Sequence, residues 1–592
     1  MSGGAREPGP RARFDDARSN PGRSFRLGGF VGLVQANDPT EVRPAIAEVA
    51  RAVDGGLWAA GFVAYEAAPG FDPALTVRDP LPGMPLVSFG LFERREEASA
   101  PDAMPGPGSY RLTPWAASVE RADYEATVET IRGLIAAGET YQVNHTFRLR
   151  AAFEGDDLAL YRDLCLAQRS AHCALLRLGR FHVLSASPEL FFRIDGDVVT
   201  ARPMKGTARR GRWPDEDRAA AASLTASEKD RAENAMIVDL IRNDLGRIAV
   251  PGSVTVPAMY EAERYETVWQ LTSTVRARRR PDTGLPGVFA ALFPCGSVTG
   301  APKARTMRAI AELEGSPRGV YTGAVGWLAP PGTEGPSACF NVAIRTVVVD
   351  TETKRAEFGV GGGITWDSSP AGEYDECRAK ALVLTERRPE MELLEALRYE
   401  PGSGFALLDG HLRRLAGSAE YFGFALDEGA VRRELSAATG QGDEALRVRL
   451  TLSRDGTLRV KAEPLPPPPS APVRLGVHAD PVRSSDPLLF HKTTLRQRFE
   501  HARAAHPEAD DVLLVNERGE VTESTIANVA VRLDGRWWTP PLDAGLLAGV
   551  RRSQLVVDGT LGERPVIVDD LRRAEALALV SSVRGWRDAT LV

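Results

Sequence analysis

A charged stretch, "TERRPEMELLEALRYE" (385–400), interrupts the chain, and a fresh strand and hairpin pattern begins at "EPGSGF". This break constrains the fold most, because it divides 592 residues into two parts that must each bury a core of their own. With the boundary near Pro389, domains are expected at 25–388 and 389–592, behind a Gly/Pro/Arg-rich tail at 1–24 that reads as disordered. A stiff polyproline run, "PLPPPPSAP" (464–472), joins two lobes of the C-terminal part. Strand-like alternation is interleaved with long helical patterns, which indicates an α/β class. "FHVLSASPELFFRIDGDVVTARP" carries a hairpin signal at Asp195-Gly196. "DYEATVETIRGLIAAGETYQV" and "SEKDRAENAMIVDLIRNDLGRI" have helical period.

Composition excludes several classes. A net charge of −6 argues against a nucleic-acid surface. No apolar run reaches membrane-spanning length, and the opening residues lack the apolar core of a secretory leader. The five cysteines (Cys165, Cys173, Cys295, Cys339, Cys377) form no C-x-x-C pair, so neither disulfides nor a structural zinc site is expected from them, and the expected location is cytoplasmic. None stands in a Gly-x-Cys-x-Gly setting, so no glutaminase-type nucleophile is expected.

Three stretches carry chemistry. In "RPMKGTARRG" (202–211), Lys205 sits in a turn among arginines. Crowding by like charges favours a neutral amine, a nucleophile or base, while the plain alternative is a set of solvated loop cations. In the helix at 228–247, Ser227 and Asp230 have capping spacing, and Glu233 falls on the apolar stripe with Ile237, Leu240, Ile241 and Asp244. A carboxylate there needs a cation. In "SSPAGEYDECRAKALVL", Ser369 and Pro370 read as N-cap and first helical residue, with Glu373, Glu376 and Lys380 on one face. Three carboxylates on two facing helices would make an oxygen-ligand site suited to Mg²⁺; the alternative for Glu373 and Glu376 is ordinary surface charge. The glycines of "FGVGGGITWDS" lack dinucleotide-binding spacing and suit either close backbone approach to an anion or a flexible turn.

The blocks "YQVNHTFRL", "SASPELFFR", "RPMKGTARRG", "KDRAENAMIVDLIRNDLGRI", "FPCGSVTGAPKARTMRAIAELE", "RGVYTGAVGW", "FNVAIRT" and "GGGITWDSSPAGEYDECRAKA" resemble, in order over roughly residues 50–388, the chorismate-utilising enzymes. The resemblance implies a two-layer α/β sandwich with a Mg²⁺–chorismate cleft. It implies Glu233 and Glu376 as Mg²⁺ ligands, with Glu373 direct or through water. Gly361 and Gly363 amides with Lys380 would hold the ring carboxylate, and Tyr321 and Arg345 the enolpyruvyl carboxylate. Glu189 would be the general acid at the C4 hydroxyl. Water-using members carry a lysine where this chain has Gln142, which favours an amine nucleophile. Pro203-Met204-Lys205-Gly206-Thr207 resembles the P-I-K-G-T of aminodeoxychorismate-forming members rather than the P-I-A-G-T of anthranilate-forming ones, and implies Lys205 as a nucleophile toward C2. Gln270 stands where many relatives have histidine.

The blocks "LLDGHLRRLAGSAEYFGF", "FHKTTLRQRFE", "VNERGEVTESTIANVAV" and "PPLDAGLLAGVRRSQL" resemble fold-type IV pyridoxal-phosphate enzymes over roughly 392–592. That resemblance implies a domain of two α/β lobes holding pyridoxal 5'-phosphate. Lys492 would bind the cofactor covalently and Glu523 would pair with its ring nitrogen. Arg414 and the amides of Gly549 and Val550 would hold its phosphate, and Ser582 would line the phosphate or substrate side. Together the resemblances imply amination of chorismate followed by pyruvate loss to 4-aminobenzoate. They also imply a separate glutamine amidotransferase as ammonia source and a homodimer formed through the second domain. The alternatives are an aminotransferase as the second activity, or an anthranilate-forming first domain.

Overall fold

The structure, a computed structural model, describes residues 10–18, 24–101, 104, 110–385, 390–439, 443–467 and 470–592. The chain forms two units, Met1–Arg209 with Ala221–Arg388, and Arg210–Ala220 with Pro389–Val592. The junction residues 386–389 lie outside the described residues.

In the first unit one ladder of 19 strands runs through two leaves. The first leaf pairs Phe25–Ala36, Val87–Glu97, Trp58–Val63, Ala324–Leu328, Ala338–Val342, Leu190–Asp195, Val198–Arg202 and Val268–Arg278 in that order. The second pairs His172–Arg177, Phe181–Ser187, Thr346–Asp350, Arg355–Ile364 and Gln142–Gly155. The short strand Arg11–Asp15 joins them, pairing antiparallel with both Phe25–Ala36 and His172–Arg177. The reading of 1–24 as a disordered tail is therefore corrected for Arg11–Asp15; residues 1–9 and 19–23 of that tail lie outside the described residues. The physical reason is a period-2 pattern hidden in a Gly/Pro/Arg-rich context. Ala12 and Phe14 turn inward to 1% and 6% exposure, while Arg13 pairs with Asp15 at 2.7 Å.

The core explains why these strands read as nearly continuous apolar runs. Trp58, Ala60, Phe62 and Ala64 pack with Ala174, Leu176 and Val183 between the leaves. The alternate residues of the same strands, Ala59 and Val63 in one leaf and Leu175 and Leu184 in the other, pack under helices on the outer faces. Both faces of each strand are buried, so alternation in hydrophobicity is weak. The helix Glu228–Gly246 starts where Ser227 Oγ accepts the Asp230 N–H at 3.2 Å, and it buries Ile237, Val238, Ile241 and Leu245. The helix Pro370–Ala381 starts where Ser369 Oγ accepts the Gly372 N–H at 3.3 Å. The Asp195-Gly196 turn links Leu190–Asp195 to Val198–Arg202, with Gly196 at φ +61°.

The second unit has two lobes. A four-stranded antiparallel sheet (Gly404–Phe405, Leu393–Glu400, Leu446–Leu452, Leu458–Pro464) packs on the helices Leu408–Phe422 and Glu428–Thr439. An eight-stranded sheet follows, from Val473–Val477 to Gly585–Leu591. The polyproline run falls between the last strand of one and the first of the other. Residues Arg210–Ala220, expected in the first domain, belong to this unit. Arg210 forks onto Asp217 at 2.7 Å and lies 4.2 Å over the Tyr421 ring, and Trp213 sits 5.0 Å from Phe490. Among the described residues no helix is long and apolar enough to cross a membrane.

Candidate active sites

The glycine run "GVGGGI" is the end of the strand Arg355–Ile364, paired residue by residue with Gln142–Gly155 rather than forming a flexible turn. The neighbouring strand on its other side stops pairing at Phe358, so Gly361–Gly363 lie on an open edge. Lys380 Nζ donates to Gly361 O at 2.8 Å and Lys205 Nζ to Gly363 O at 3.4 Å. A strand residue presents its N–H and C=O to the same side. The Gly361 and Gly363 amides therefore face that open edge too.

Gly363 leaves room for what meets there. A Cβ would stand 2.7 Å from Gln142 Nε2 and 2.9 Å from Lys205 Nζ. Gln142 is fully buried, and neither end of its amide has a hydrogen-bond partner among the described residues. An unsatisfied buried amide costs about 1–3 kcal/mol, so the site is built for a polar ligand.

Around this edge the structure gathers the predicted charged groups. Lys205 Nζ lies 3.0 Å from Glu233 Oε2, so its surroundings are acidic, contrary to the expected arginine crowding. Three of the arginines, Arg202, Arg210 and Arg212, have carboxylate partners of their own. Arg202 binds Glu263 at 3.1 Å, and Arg210 holds Asp217 in the other unit. Lys380 pairs with Glu376 at 2.8 Å, and that ammonium, outweighing burial, holds the Glu376 carboxylate below its usual range. Glu373 accepts from Ser368 Oγ at 2.6 Å, and its Oε2 lies 2.8 Å from where a side chain at Gly362 would begin. Burial raises its pKa. The three glutamates and two lysines thus share one neighbourhood, with Glu233 and Glu376 each facing a lysine. The donor set is carboxylate oxygen alone, the chemistry a hard divalent cation such as Mg²⁺ fits, and the three carboxylates do not all lie within 4.8 Å of one another.

Arg345 adopts φ +51° and donates from Nη1 to Lys380 O. Burial pulls its guanidinium down to about 10, against the attraction of Tyr321 and Glu376. Tyr321 is buried beneath the Arg148 guanidinium, 4.9 Å from its ring. Glu189 is 3% exposed and burial pushes it up to about 7, with the Ser297 hydroxyl (2.6 Å) opposing. A carboxyl that titrates near neutrality is a competent proton donor. Ser297 was not singled out from sequence, although its block "FPCGSVTGAPKA" was. Gln270 lies in the strand Val268–Arg278, opposite Thr207 and Glu263.

In the second unit, Lys492 is tied by its backbone to the first lobe, its carbonyl accepting the Leu394 N–H at 2.9 Å. Burial, helped by Arg414, lowers its ammonium to about 8. Glu523, on the strand Val521–Ser524, is pushed up to about 8 by burial and among the described residues accepts only the Leu547 N–H (3.2 Å) and a 3.4 Å contact from Asn528. A buried acid so poorly compensated suits a protonated ring nitrogen. Arg414 forks onto Glu395 at 2.9 and 2.6 Å and reaches Ala548 O at 3.2 Å. Glu395 also meets His411 Nδ1 at 2.7 Å; burial would raise it, but Arg414 and His411 hold it at about 2. Ala548 precedes the helix Val550–Val557, where a Cβ on Gly549 would collide with Asn528 Oδ1. The Gly549 N–H donates to Leu547 O at 2.8 Å, which corrects its expected role; the Ser553 N–H donates to Gly549 O at 2.8 Å, so the first-turn amides of Val550, Arg551 and Arg552 remain for an anion. Ser582 lies in the turn between Ala576–Ser581 and Gly585–Leu591. Glu395 and Asn528 are the residues that sequence reasoning missed here. The groups present fit pyridoxal phosphate.

Residues 32–386 match the family described as chorismate binding enzyme, and residues 392–592 match amino-transferase class IV. Aminodeoxychorismate synthase of Streptomyces pristinaespiralis is 47% identical over 259 residues, covering 44% of this chain and 35% of that protein. Aminodeoxychorismate synthase component 1 of Salmonella typhimurium is 38% identical over 308 residues, covering 52% of this chain and 66% of that one. The chain thus spans about a third of the first relative and just under two thirds of the second. The crystal structure of anthranilate synthase component I from Streptococcus pneumoniae superposes with a TM-score of 0.51 at 26% identity, over 65% of this chain and 93% of that one.

Proposed function

The chain belongs to the chorismate binding enzymes, and from that premise we propose that its first unit aminates chorismate at C4 and its second converts the product to 4-aminobenzoate and pyruvate. The observation that carries the reading is Lys205, an amine 3.0 Å from Glu233 on the open Gly361–Gly363 edge, with no second basic side chain at Gln142 to activate water. The Lys205 amine attacks C2 of chorismate as the C4 hydroxyl leaves, and Glu189 gives that oxygen its proton, so water departs. Ammonia then bonds to C4 and expels Lys205 from C2. Gly361, Gly363 and Lys380 hold the ring carboxylate, and Arg345 and Tyr321 the enolpyruvyl carboxylate. Glu233, Glu376 and Glu373 would hold Mg²⁺, which neutralises carboxylate charge when bound.

In the second unit Lys492 would carry pyridoxal phosphate and Glu523 would face its ring nitrogen; when bound, this cofactor serves as an electron sink. Lys492, its amine freed when the amine of the substrate takes its place, would remove the C4 proton of the aminated ring, and the ring would become aromatic as pyruvate leaves. The ammonia source is a separate glutamine amidotransferase in the cytoplasm, a reading supported by the words "component 1" in the Salmonella relative's name. The test is incubation of the full chain with chorismate and ammonium, with and without Mg²⁺. The expected products are 4-aminobenzoate and pyruvate; anthranilate as the product would refute the reading. A second reading, favoured by the amino-transferase match, makes the second unit an aminotransferase. Pyruvate release without any added keto acid excludes it.

A further inference from the structure

Three of the chain's eight histidines, His478, His501 and His506, meet on one side of the second unit. His478 follows the strand Val473–Val477 and is fixed there by its N–H, which donates to Leu513 O at 2.9 Å. His501 projects from the helix Gln497–Ala504, and its ring stands 5.9 Å from that of His478, nearly perpendicular to it at 84°. Asp480 brings a carboxylate to the same point. One ligand atom from each of His478, Asp480 and His501 lies within 4.8 Å of the other two. His478 Nε2 and Asp480 Oδ2 are 3.8 Å apart, too far for a hydrogen bond. His478 is buried while Asp480 and His501 are exposed.

The geometry points to a binding site for Zn²⁺ formed by His478, Asp480 and His501. Two imidazoles and one carboxylate suit a borderline-soft ion that accepts nitrogen, and they leave a fourth position for water. This donor set is unlike the all-carboxylate group of Glu233, Glu373 and Glu376, which suits a hard cation. Ligands about 2.0–2.1 Å from a tetrahedral ion lie roughly 3.3 Å apart. Closing from within 4.8 Å therefore asks for at most about 1.5 Å of movement, which the exposed side chains of Asp480 and His501 have room to make. His506 stands beside the site, its ring 5.7 Å from His478 and its Nδ1 held by Glu508 at 3.1 Å. The ion would tie the end of a strand to the helix that follows Lys492, so its first effect is to stiffen that segment. The inference is independent of the reaction proposed for either unit.

The test uses the full chain loaded with pyridoxal phosphate, stripped of metal by chelation and held in excess Mg²⁺. ZnCl₂ is titrated in by calorimetry and CoCl₂ by visible absorbance, for the wild type, His501→Ala and Asp480→Ala. The expected result is one Zn²⁺ per chain, visible bands from nitrogen-ligated Co²⁺, and affinity lower by more than about 10-fold in each variant. Because the Asp480 side chain is 83% exposed, its truncation removes a ligand without opening a core. Thermal melts without metal check that both variants keep the wild-type fold. Unchanged Zn²⁺ affinity and Co²⁺ spectrum in both folded variants would overturn the site, as would absence of Zn²⁺ binding to the wild type.

Discussion

The two lysines that matter most live in opposite electrical surroundings. Lys205 lies 3.0 Å from a carboxylate, Glu233, at a strand edge shared with Lys380, Glu373 and Glu376. Lys492 has no carboxylate within ion-pair distance among the described residues, and burial brings it down to about 8 while bringing Glu523 up to about 8. In the second unit desolvation moves an acid and a base toward their neutral forms without any contact being broken. In the first, Lys205 stands in an ion pair with Glu233.

The comparison breaks first at the lysines themselves. Lys492→Ala should abolish 4-aminobenzoate formation while chorismate is still consumed and the aminated intermediate accumulates. Lys205→Ala should leave chorismate untouched while supplied aminodeoxychorismate is still converted. Product chromatography reads both, and loss of both activities in either variant would contradict two independent sites. Chelation comes next. EDTA should stop chorismate consumption, with recovery on added Mg²⁺, and spare conversion of supplied aminodeoxychorismate.

Glu189→Gln should slow the first reaction by about 10²–10⁴-fold. The sign of the pH dependence follows from the donor being the protonated form. With Glu189 raised to about 7, the first reaction, measured at constant free ammonia, should fall as pH rises through that value. Capture of pyridoxal phosphate by the cofactor-free chain needs the unprotonated Lys492 amine and should quicken as pH rises toward about 8. Parallel rather than opposed limbs would erase the contrast. The smallest effect is expected from Ser297→Ala. Its hydroxyl lowers the Glu189 pKa, so its removal should move the falling limb to higher pH and change the rate at neutrality by less than about 10-fold.

What could be read from sequence was local. The caps at Ser227 and Ser369 and the Asp195-Gly196 turn depend on residues a few positions apart, and they stand where expected. Glu233 on an apolar helix face announced its need for a cation, and Lys205 meets it. What failed was long-range. Arg202, Arg210 and Arg212, near Lys205 in sequence, find acids elsewhere, Ser297 reaches Glu189 across 108 residues, and Glu395 meets Arg414 from a different element. The glycine run reads equally as an anion-approaching backbone or a flexible turn by composition, because nothing local reveals the partner strand that straightens it. The Gly549 N–H is taken by a carbonyl two residues back, a detail of turn geometry that a motif does not encode.

The strand Arg11–Asp15 has a consequence outside catalysis. Among the described residues it is the single rung between two leaves, with Phe25–Ala36 on one side and His172–Arg177 on the other. A chain trimmed to begin at Ser24 would keep every residue of both sites, yet would leave two raw sheet margins where one closed seam had been. Unpaired margins of that kind recruit strands from other copies. Solubility, rather than turnover, would be the first casualty of trimming what reads in the sequence as a disordered tail.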